Sequence, residues 1–451
     1  MVARLLFLAS LLWTVAGQAQ SGTGNIAGRV VDSDGGAILG ANVVATGGAL
    51  TAPMATATDS EGSYLLEGLP AGAVDISVSH IGFSDNLATG VQVTPGGTGT
   101  RDFVLSSRLI FLDQSVVSAS RRTEKILDAP ASVAVVEAQE VQGQPVLSLA
   151  EHVRDLPGVD VSRTGLVQNN MVVRGFNNIF SGALLTLSDN RIARVPSLRV
   201  NVYNFIPVTS DDIDRIEVVL GPGSALYGPN SANGVMHVIT KSPLTSGGTS
   251  AQVGFGERSI RKVSVRHAGQ ASAELGYKIS AEYYAGEDWE SQDASDLNPR
   301  DFDVERRSAE VRVDYRPSDE LQAIFSAGTN VGDHIELSGL GAGQIRGFGT
   351  NYAQARFNYN DWFGQVYRNW SSAGDTYLLA TGIGIVDRSS LTVLQLQHDT
   401  RLGARQRFTY GVDALFTRPD TEGTIYGENE DNDSIDEYGA YLQSETALTP
   451  E

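Results

Sequence analysis

Ala273-Glu274-Leu275-Gly276-Tyr277-Lys278-Ile279-Ser280-Ala281-Glu282-Tyr283 holds a period of two over eleven residues: Ala273, Leu275, Tyr277, Ile279, Ala281 and Tyr283 face one way, and Glu274, Lys278, Ser280 and Glu282 the other. Successive side chains of an extended chain point to opposite faces, so this is a strand with one apolar and one polar face. The pattern returns in Val311-Val313-Tyr315 against Arg312-Asp314-Arg316, and in Phe408-Tyr410-Val412-Ala414-Phe416. A soluble sandwich alternates the same way, so the connections decide. Pro317-Ser318-Asp319, Asn360-Asp361 and Arg401 to Ala404 are tight turns, whereas 285–303, 329–351, 372–390 and 418–436 are long polar loops, and the two kinds alternate. Short turns on one side and long loops on the other, joining strands of about ten residues, describe a transmembrane antiparallel β-barrel. Tyr and Phe near several strand ends supply its aromatic girdles. About ten strands fit between residues 249 and 451.

Composition agrees. Of 451 residues, 41% are hydrophobic and 19% charged, enough for two or three cores, and Gly is frequent at 49. No apolar run beyond the first twenty residues approaches the length of a membrane helix, so any crossing must use strands. Residues 1–20 read as a signal peptide: Arg4, the apolar run Leu5 to Val15, then small Ala16-Gly17-Gln18-Ala19. The chain has no cysteine, which excludes a disulfide scaffold, a thiolate metal site and a lipid-anchored cysteine. A net charge of −20 argues against a nucleic-acid partner, whose phosphates demand a basic face.

Residues 24–106 alternate in short runs: Ile26 to Val31, Ala41 to Ala45, Ser63 to Leu66, Val74 to Val78, Val91 to Val93 and Phe103 to Leu105, separated by turns such as Asp59-Ser60-Glu61-Gly62. That spacing predicts a small β-sandwich. Gly28-Arg29-Val30-Val31-Asp32, Gly40-Ala41-Asn42-Val43 and Thr58 to Tyr64 make the segment resemble the carboxypeptidase-regulatory-like domain. The resemblance implies a prealbumin-like Greek-key sandwich, related to carbohydrate-binding-like folds and without catalysis of its own. Asp59 is read as a turn former and Tyr64 as a core residue.

Residues 112–244 mix helix and strand signals. Ser148 to Leu156 has apolar residues at 149, 153 and 156 and stops at Pro157-Gly158, which fits a short helix. Strand-like Val159-Asp160-Val161, Met171 to Arg174 and Ile213 to Leu220 follow. From about residue 112 to its end the chain resembles TonB-dependent outer-membrane receptors. Three blocks carry this: Leu112 to Arg121; Leu149 to Val161 with Arg174-Gly175-Phe176; and Ile213-Asp214-Arg215-Ile216-Glu217-Val218-Val219-Leu220-Gly221-Pro222-Gly223, continuing through Asn233 to Lys241. The first resembles a TonB box at 112–120, so Asp113, Gln114, Ser115, Val116, Val117, Ser118 and Ala119 are expected to bind TonB by strand addition, for which Val116 and Val117 favour the extended state. Residues 121–244 then form the plug and 249–451 part of the barrel. The resemblance makes Arg174 and Glu217 charged plug–barrel contacts. Leu220 stands where many members of the family have Arg, which puts one such contact in doubt.

The resemblance implies an energy-coupled importer of a scarce ligand in the outer membrane of a Gram-negative bacterium, with the N-terminal domain periplasmic and TonB with ExbB/ExbD as partners. Lipid, lipopolysaccharide and a surface lipoprotein are further partners it suggests. The alternative is an outer-membrane carbohydrate-binding or adhesion protein. Plug-apex candidates for ligand binding are Phe176, Asn177, Asn178 and Phe180, with Arg199, Tyr203 and Phe205. Oligosaccharide, peptide, siderophore-iron and cobalamin stay open, with the regulatory-like domain leaning toward sugars or peptides. No catalytic constellation or cofactor motif occurs: Gly221-Pro222-Gly223 lacks the Lys of a phosphate loop, the six His form no metal-spaced pair, and the acidic stretch 428–437 lacks the Gly of an EF-hand loop. Plugged barrels have about 22 strands, so the chain is expected to stop within its barrel.

Overall fold

The computed structural model describes all residues except 1–21, 33–34, 49, 51, 81–82, 84–85, 106–114, 117–123, 126–130, 178–183, 224–226, 228–230, 292, 339–340, 404 and 447–451. The signal-peptide reading therefore lies outside the described residues. The chain divides into two compact units, 1–114 and 115–451.

The first unit is a β-sandwich. One sheet joins Ser63–Pro70, Thr23–Asp32, Thr98–Thr100 and Phe103–Leu105; the other runs Met54–Ala57, Asn42–Thr46, Gly72–Ser79, Asn86–Val93. Alternate residues of the predicted strands, among them Ile26, Val30, Val43, Leu66, Ile76 and Leu105, meet in one core, each burial contributing about 1.5–3 kcal/mol. Met54–Ala57 and Thr98–Thr100 are strands the sequence pattern had not marked. Asp59 Oδ1 accepts from the amides of Glu61 and Ser63 at 2.9 and 2.8 Å, closing the turn. Gly62 ends that turn at φ +74°, where an added Cβ would lie 2.5 Å from the Val30 carbonyl oxygen, so the turn needs glycine. Tyr64 is buried and donates its hydroxyl to the Arg101 carbonyl at 2.6 Å.

In the second unit a five-stranded mixed sheet runs Val133–Glu137, Ile213–Leu220, Gly234–Thr240, Leu184–Ser188, Arg191–Ile192. A helix, Ala138–Gly143, and a hairpin, Val159–Arg163 with Asn169–Val173, accompany it. The helix expected over 148–156 is a single 3-10 turn, Leu149–Val153, which buries Ala150 and Val153 against the plug core. Central strands of this sheet are buried on both faces, and Ile213–Leu220 is accordingly apolar from Ile216 onward apart from Glu217.

The remainder is one long antiparallel sheet of eleven strands. Its path runs in sequence from Gly248–Phe255 to Ile435–Thr446, with Tyr377–Leu378 branching from Gly341–Tyr359. The sheet is inverted relative to a soluble protein. Lys278 is 1% exposed and Asp314 0%, while Ile279 is 53% and Val311 48% exposed. The charged face lies inward and the apolar face outward, which is the solution for strands whose outer solvent is lipid. No helix among the described residues is long and apolar enough to cross a membrane.

Connections alternate as expected, with one correction. The segment 329–351 is not a loop: strands Leu321–Ser338 and Gly341–Tyr359 run through it, paired as far as Ser338 with Gly341. Ile335 and Leu337 cluster with Leu379 there, while His334 and Glu336 face the plug, so tertiary packing extends a hairpin beyond the usual strand length.

Candidate functional site

The plug is fastened to the inner face of the sheet by polar contacts at several points. One 3-10 turn, Ser210–Asp212, sets two buried carboxylates just before the strand Ile213–Leu220. Arg266 Nε donates to Asp212 Oδ1 at 2.7 Å, and Lys278 Nζ donates to Asp212 Oδ2, to Thr240 Oγ1 at 2.7 Å and to the Lys241 carbonyl at 2.9 Å. Ser264 and Gln252 donate to Asp211. The barrel donors come from alternate, inward positions, which is why Lys278 alternates with Ile279 in the sequence.

A second fastening is the two-residue turn Asp189-Asn190, whose φ values of +46° and +70° suit the mirror-image turn that joins twisted strands. Asp189 accepts from the Thr240 amide and hydroxyl at 3.1 and 2.6 Å, and lies 3.5 Å from Arg312. Its carbonyl accepts from Gln354 and Arg356, both at 2.9 Å, and the Asn190 carbonyl accepts from Gln365 at 2.9 Å. Burial pushes the Asp189 carboxyl up, but the cations of Arg312, Arg356 and Lys278 outweigh it and hold the group well below the usual carboxylate range. His237 lies beside this turn and accepts from the Asn190 amide through Nε2 at 3.0 Å. Its burial brings its pKa down to about 4, against the opposite pull of Glu217 and Asp189. Higher up, Arg306 donates to the Ile206 carbonyl at 2.6 Å and Asn330 to the Asn204 carbonyl at 2.8 Å. Neutral hydrogen bonds of this kind contribute about 0.5–1.5 kcal/mol net and those to charged groups about 1.5–3 kcal/mol, and they are separate from the plug's own apolar core.

At the long-loop end a cavity of about 440 Å³ separates the plug segment 195–205 from the barrel. Leu198, Val200 and Phe205 line it from the plug, and Ile345, Phe348 and Ile385 from the wall. The rings of Phe205 and Phe348 lie 5.0 Å apart, centroid to centroid. Two carboxylates also reach the lining, Glu336 and Asp387.

The residues singled out from sequence scatter around these places. Phe205 lines the cavity. Arg199, at φ +55°, pairs with Glu437 beside it. Tyr203 is turned into the plug core, and burial raises its hydroxyl pKa. Phe176 is wholly exposed, and Asn177 folds back onto the carbonyls of Asp160 and Asn170 at 3.1 Å each. Glu217 is fully buried within the plug sheet, 2.9 Å from Arg215 Nε of its own strand, and Arg174 is exposed. Asp189, Asp211 and Asp212 make the barrel contacts described above. Of the residues expected to form a TonB box, Ser115–Val116 pairs antiparallel with Glu124–Lys125, while Asp113, Gln114, Val117, Ser118 and Ala119, like Asn178 and Phe180, lie outside the described residues. Asp212 and Asp189 do not stand out in the sequence, because an aspartate before a strand or in a turn reads as a turn former. The one signal was the inward row Lys278, Arg312 and Arg266, a cationic face that demands buried anions.

A small mixed sheet held by polar contacts against the charged inner face of an outwardly apolar β-sheet defines a plugged outer-membrane barrel. Comparison with known proteins names the class: the TonB-dependent Receptor Plug Domain family matches residues 125–235, and the Carboxypeptidase regulatory-like domain family residues 25–106. Residues 125–235 thus match the plug of TonB-dependent receptors, with a regulatory-like domain ahead of them. It is 35% identical over 155 residues to the Vitamin B12 transporter BtuB of Vibrio vulnificus, covering 34% of this chain and 24% of that protein. It is 27% identical over 293 residues to the Photobacterium profundum protein of the same name, covering 64% of this chain and 43% of the other. Among solved structures, the siderophore receptor PirA from Pseudomonas aeruginosa shares the fold with a TM-score of 0.52 at 17% identity, covering 72% of this chain and 54% of that one. The matches thus span about a quarter to a half of these relatives' lengths.

Proposed function

We propose that this chain acts in energy-coupled uptake of a scarce ligand across the outer membrane, with TonB, driven by ExbB/ExbD, as the partner that moves the plug. The observation that carries the reading is the plug's attachment: a folded obstacle with its own apolar core, held to the barrel by hydrogen bonds and ion pairs around Asp189 and Asp212. Such an interface keeps the plug in place at rest, yet it yields contact by contact when pulled. The relatives support transport, since two are named as vitamin B12 transporters. Residues 113–119 would offer the extended backbone to TonB, and the apex cavity would take the ligand.

In this reading nothing in the ligand is made or broken. The plug's aspartates position it, the inward cations hold it, and the outward apolar face sits in lipid. The test is accumulation by Gram-negative cells displaying the full-length protein, offered labelled cobalamin, a ferric siderophore and an oligosaccharide in turn. Accumulation of one class above cells without the protein supports uptake. Surface binding of glycans with no accumulation of any class supports the carbohydrate-binding or adhesion alternative instead.

A further inference from the structure

The apex cavity combines two properties that rarely coincide. Its walls are apolar, yet Glu336 and Asp387, 9% and 2% exposed, reach into its lining. Glu336 accepts from Gln168 Nε2 at 2.7 Å and lies 3.0 Å from His334 Nε2. Asp387 accepts from Ser197 Oγ at 2.6 Å and from the Ser389 amide at 2.9 Å. Among the described residues neither carboxylate is within ion-pair distance of a Lys or Arg. A buried carboxylate is costly unless a cation or a full set of hydrogen bonds accompanies it; Asp189 and Asp212 have cations, whereas Asp211 and Asp288 are held by hydrogen bonds and do not line this cavity.

The surroundings carry the same sign. Loops 288–302, 373–389 and 419–434 hold five, two and six carboxylates against one, one and no cations. Arg388 is occupied by Glu422 at 2.7 Å, Arg300 by Asp296 at 2.6 Å, and Arg199 on the plug by Glu437. A field of this sign concentrates cations at the entrance and repels anions.

We propose that the apex cavity binds a compact ligand with an apolar body and a positive charge, the charge seated against Glu336 and Asp387 and the body against Phe205, Phe348 and Leu198. This deepens the importer reading, on which it rests, by assigning its ligand class.

The test uses three probes of similar body and different charge: tetraphenylphosphonium, neutral triphenylphosphine oxide and anionic triphenylacetate. Each is titrated against the full chain in an amphipathic polymer, and saturable binding is read by equilibrium dialysis. Expected is saturable binding of the cation, about tenfold weaker in Glu336→Gln and in Asp387→Asn, with the neutral probe changed less than about twofold, as neutral groups gain nothing from the charge. Leu198→Gln, at a position already 46% exposed and so tolerant of a polar side chain, weakens cation and neutral probe together by about fivefold. Equal binding of cation and anion, no saturable cation binding, or carboxamide variants that bind the cation normally would overturn the assignment. TonB-dependent accumulation of some other ligand alongside such a result would leave the importer reading standing, so the two fail separately.

Discussion

Replacing Asp212 by Ala should loosen the plug far more than one hydrogen bond is worth. The carboxylate is 1% exposed, and it neutralises two barrel cations, Arg266 at 2.7 Å and Lys278, which is itself 1% exposed. Lys278 keeps Thr240, the Lys241 carbonyl and Glu310 at 3.7 Å, but none of these replaces the short contact. Removing one member of a buried pair strands its partner and costs about 3–5 kcal/mol. At about 1.4 kcal/mol per factor of ten, local opening of the plug edge should become roughly two to three and a half powers of ten more frequent. Native-state hydrogen exchange reads this directly. Amides of Ile213–Leu220 and Gly234–Thr240 in the purified protein should exchange faster by that factor, while those of the N-terminal sandwich stay unchanged. If Asp212→Ala accelerates the plug amides by less than about threefold, the ion pairs do not hold the plug and the reasoning fails.

Other consequences concern membrane, pH and coupling. Ile279→Lys places a charge at an outward position that is 53% exposed, and it should cost up to about 2–4 kcal/mol on folding into lipid vesicles; no change would mean that this face does not meet hydrocarbon. His237 and His152 are both held down to about 4 by burial. Their rings stay neutral in the folded plug while the unfolded chain takes up protons below about pH 6.5. Each should therefore cost up to about 1.4 kcal/mol of stability per unit as pH falls from about 6.5 toward 4. Urea midpoints at pH 7.5 and 4.5 check this, and the double variant His152→Gln, His237→Gln should lose most of the slope; an unchanged slope contradicts it. Val117→Pro removes a backbone donor from the segment proposed to pair with TonB, so capture by the TonB C-terminal domain should be lost, and normal capture would exclude strand addition there.

Much of this fold can be read along the chain because its causes are local. Tyr277, Lys278, Ile279 and Ser280 alternate in sequence and alternate between lipid and plug in space, so periodicity alone yields the strand and its two faces. Polarity of the inward face follows from the same count. The partners do not. Lys278 meets Asp212 sixty-six residues away, a distance set by sheet order and plug docking, neither of which leaves a periodic trace. The hairpin around Ser338 and Gly341 reads as a loop for a related reason: Gly341-Ala342-Gly343 looks like loop sequence, and it is kept extended by distant partners, the packing of Ile335 and Leu337 against Leu379 and the pairing of Gly343 and Gln344 with Leu378 and Tyr377. His334-Ile335-Glu336-Leu337 does alternate, and that was the available signal. The cavity carboxylates lay beyond sequence reasoning, since nothing in the surroundings of Asp387 distinguishes a buried, cation-free aspartate from a solvated loop residue.

The central claim is that the chain serves uptake driven through its plug. Its most direct test is the initial rate of ligand accumulation by energised cells displaying the full-length protein, measured in a host with TonB and in the same host without it. The account predicts surface binding in both hosts and accumulation only where TonB is present. Accumulation at the same rate without TonB would contradict it.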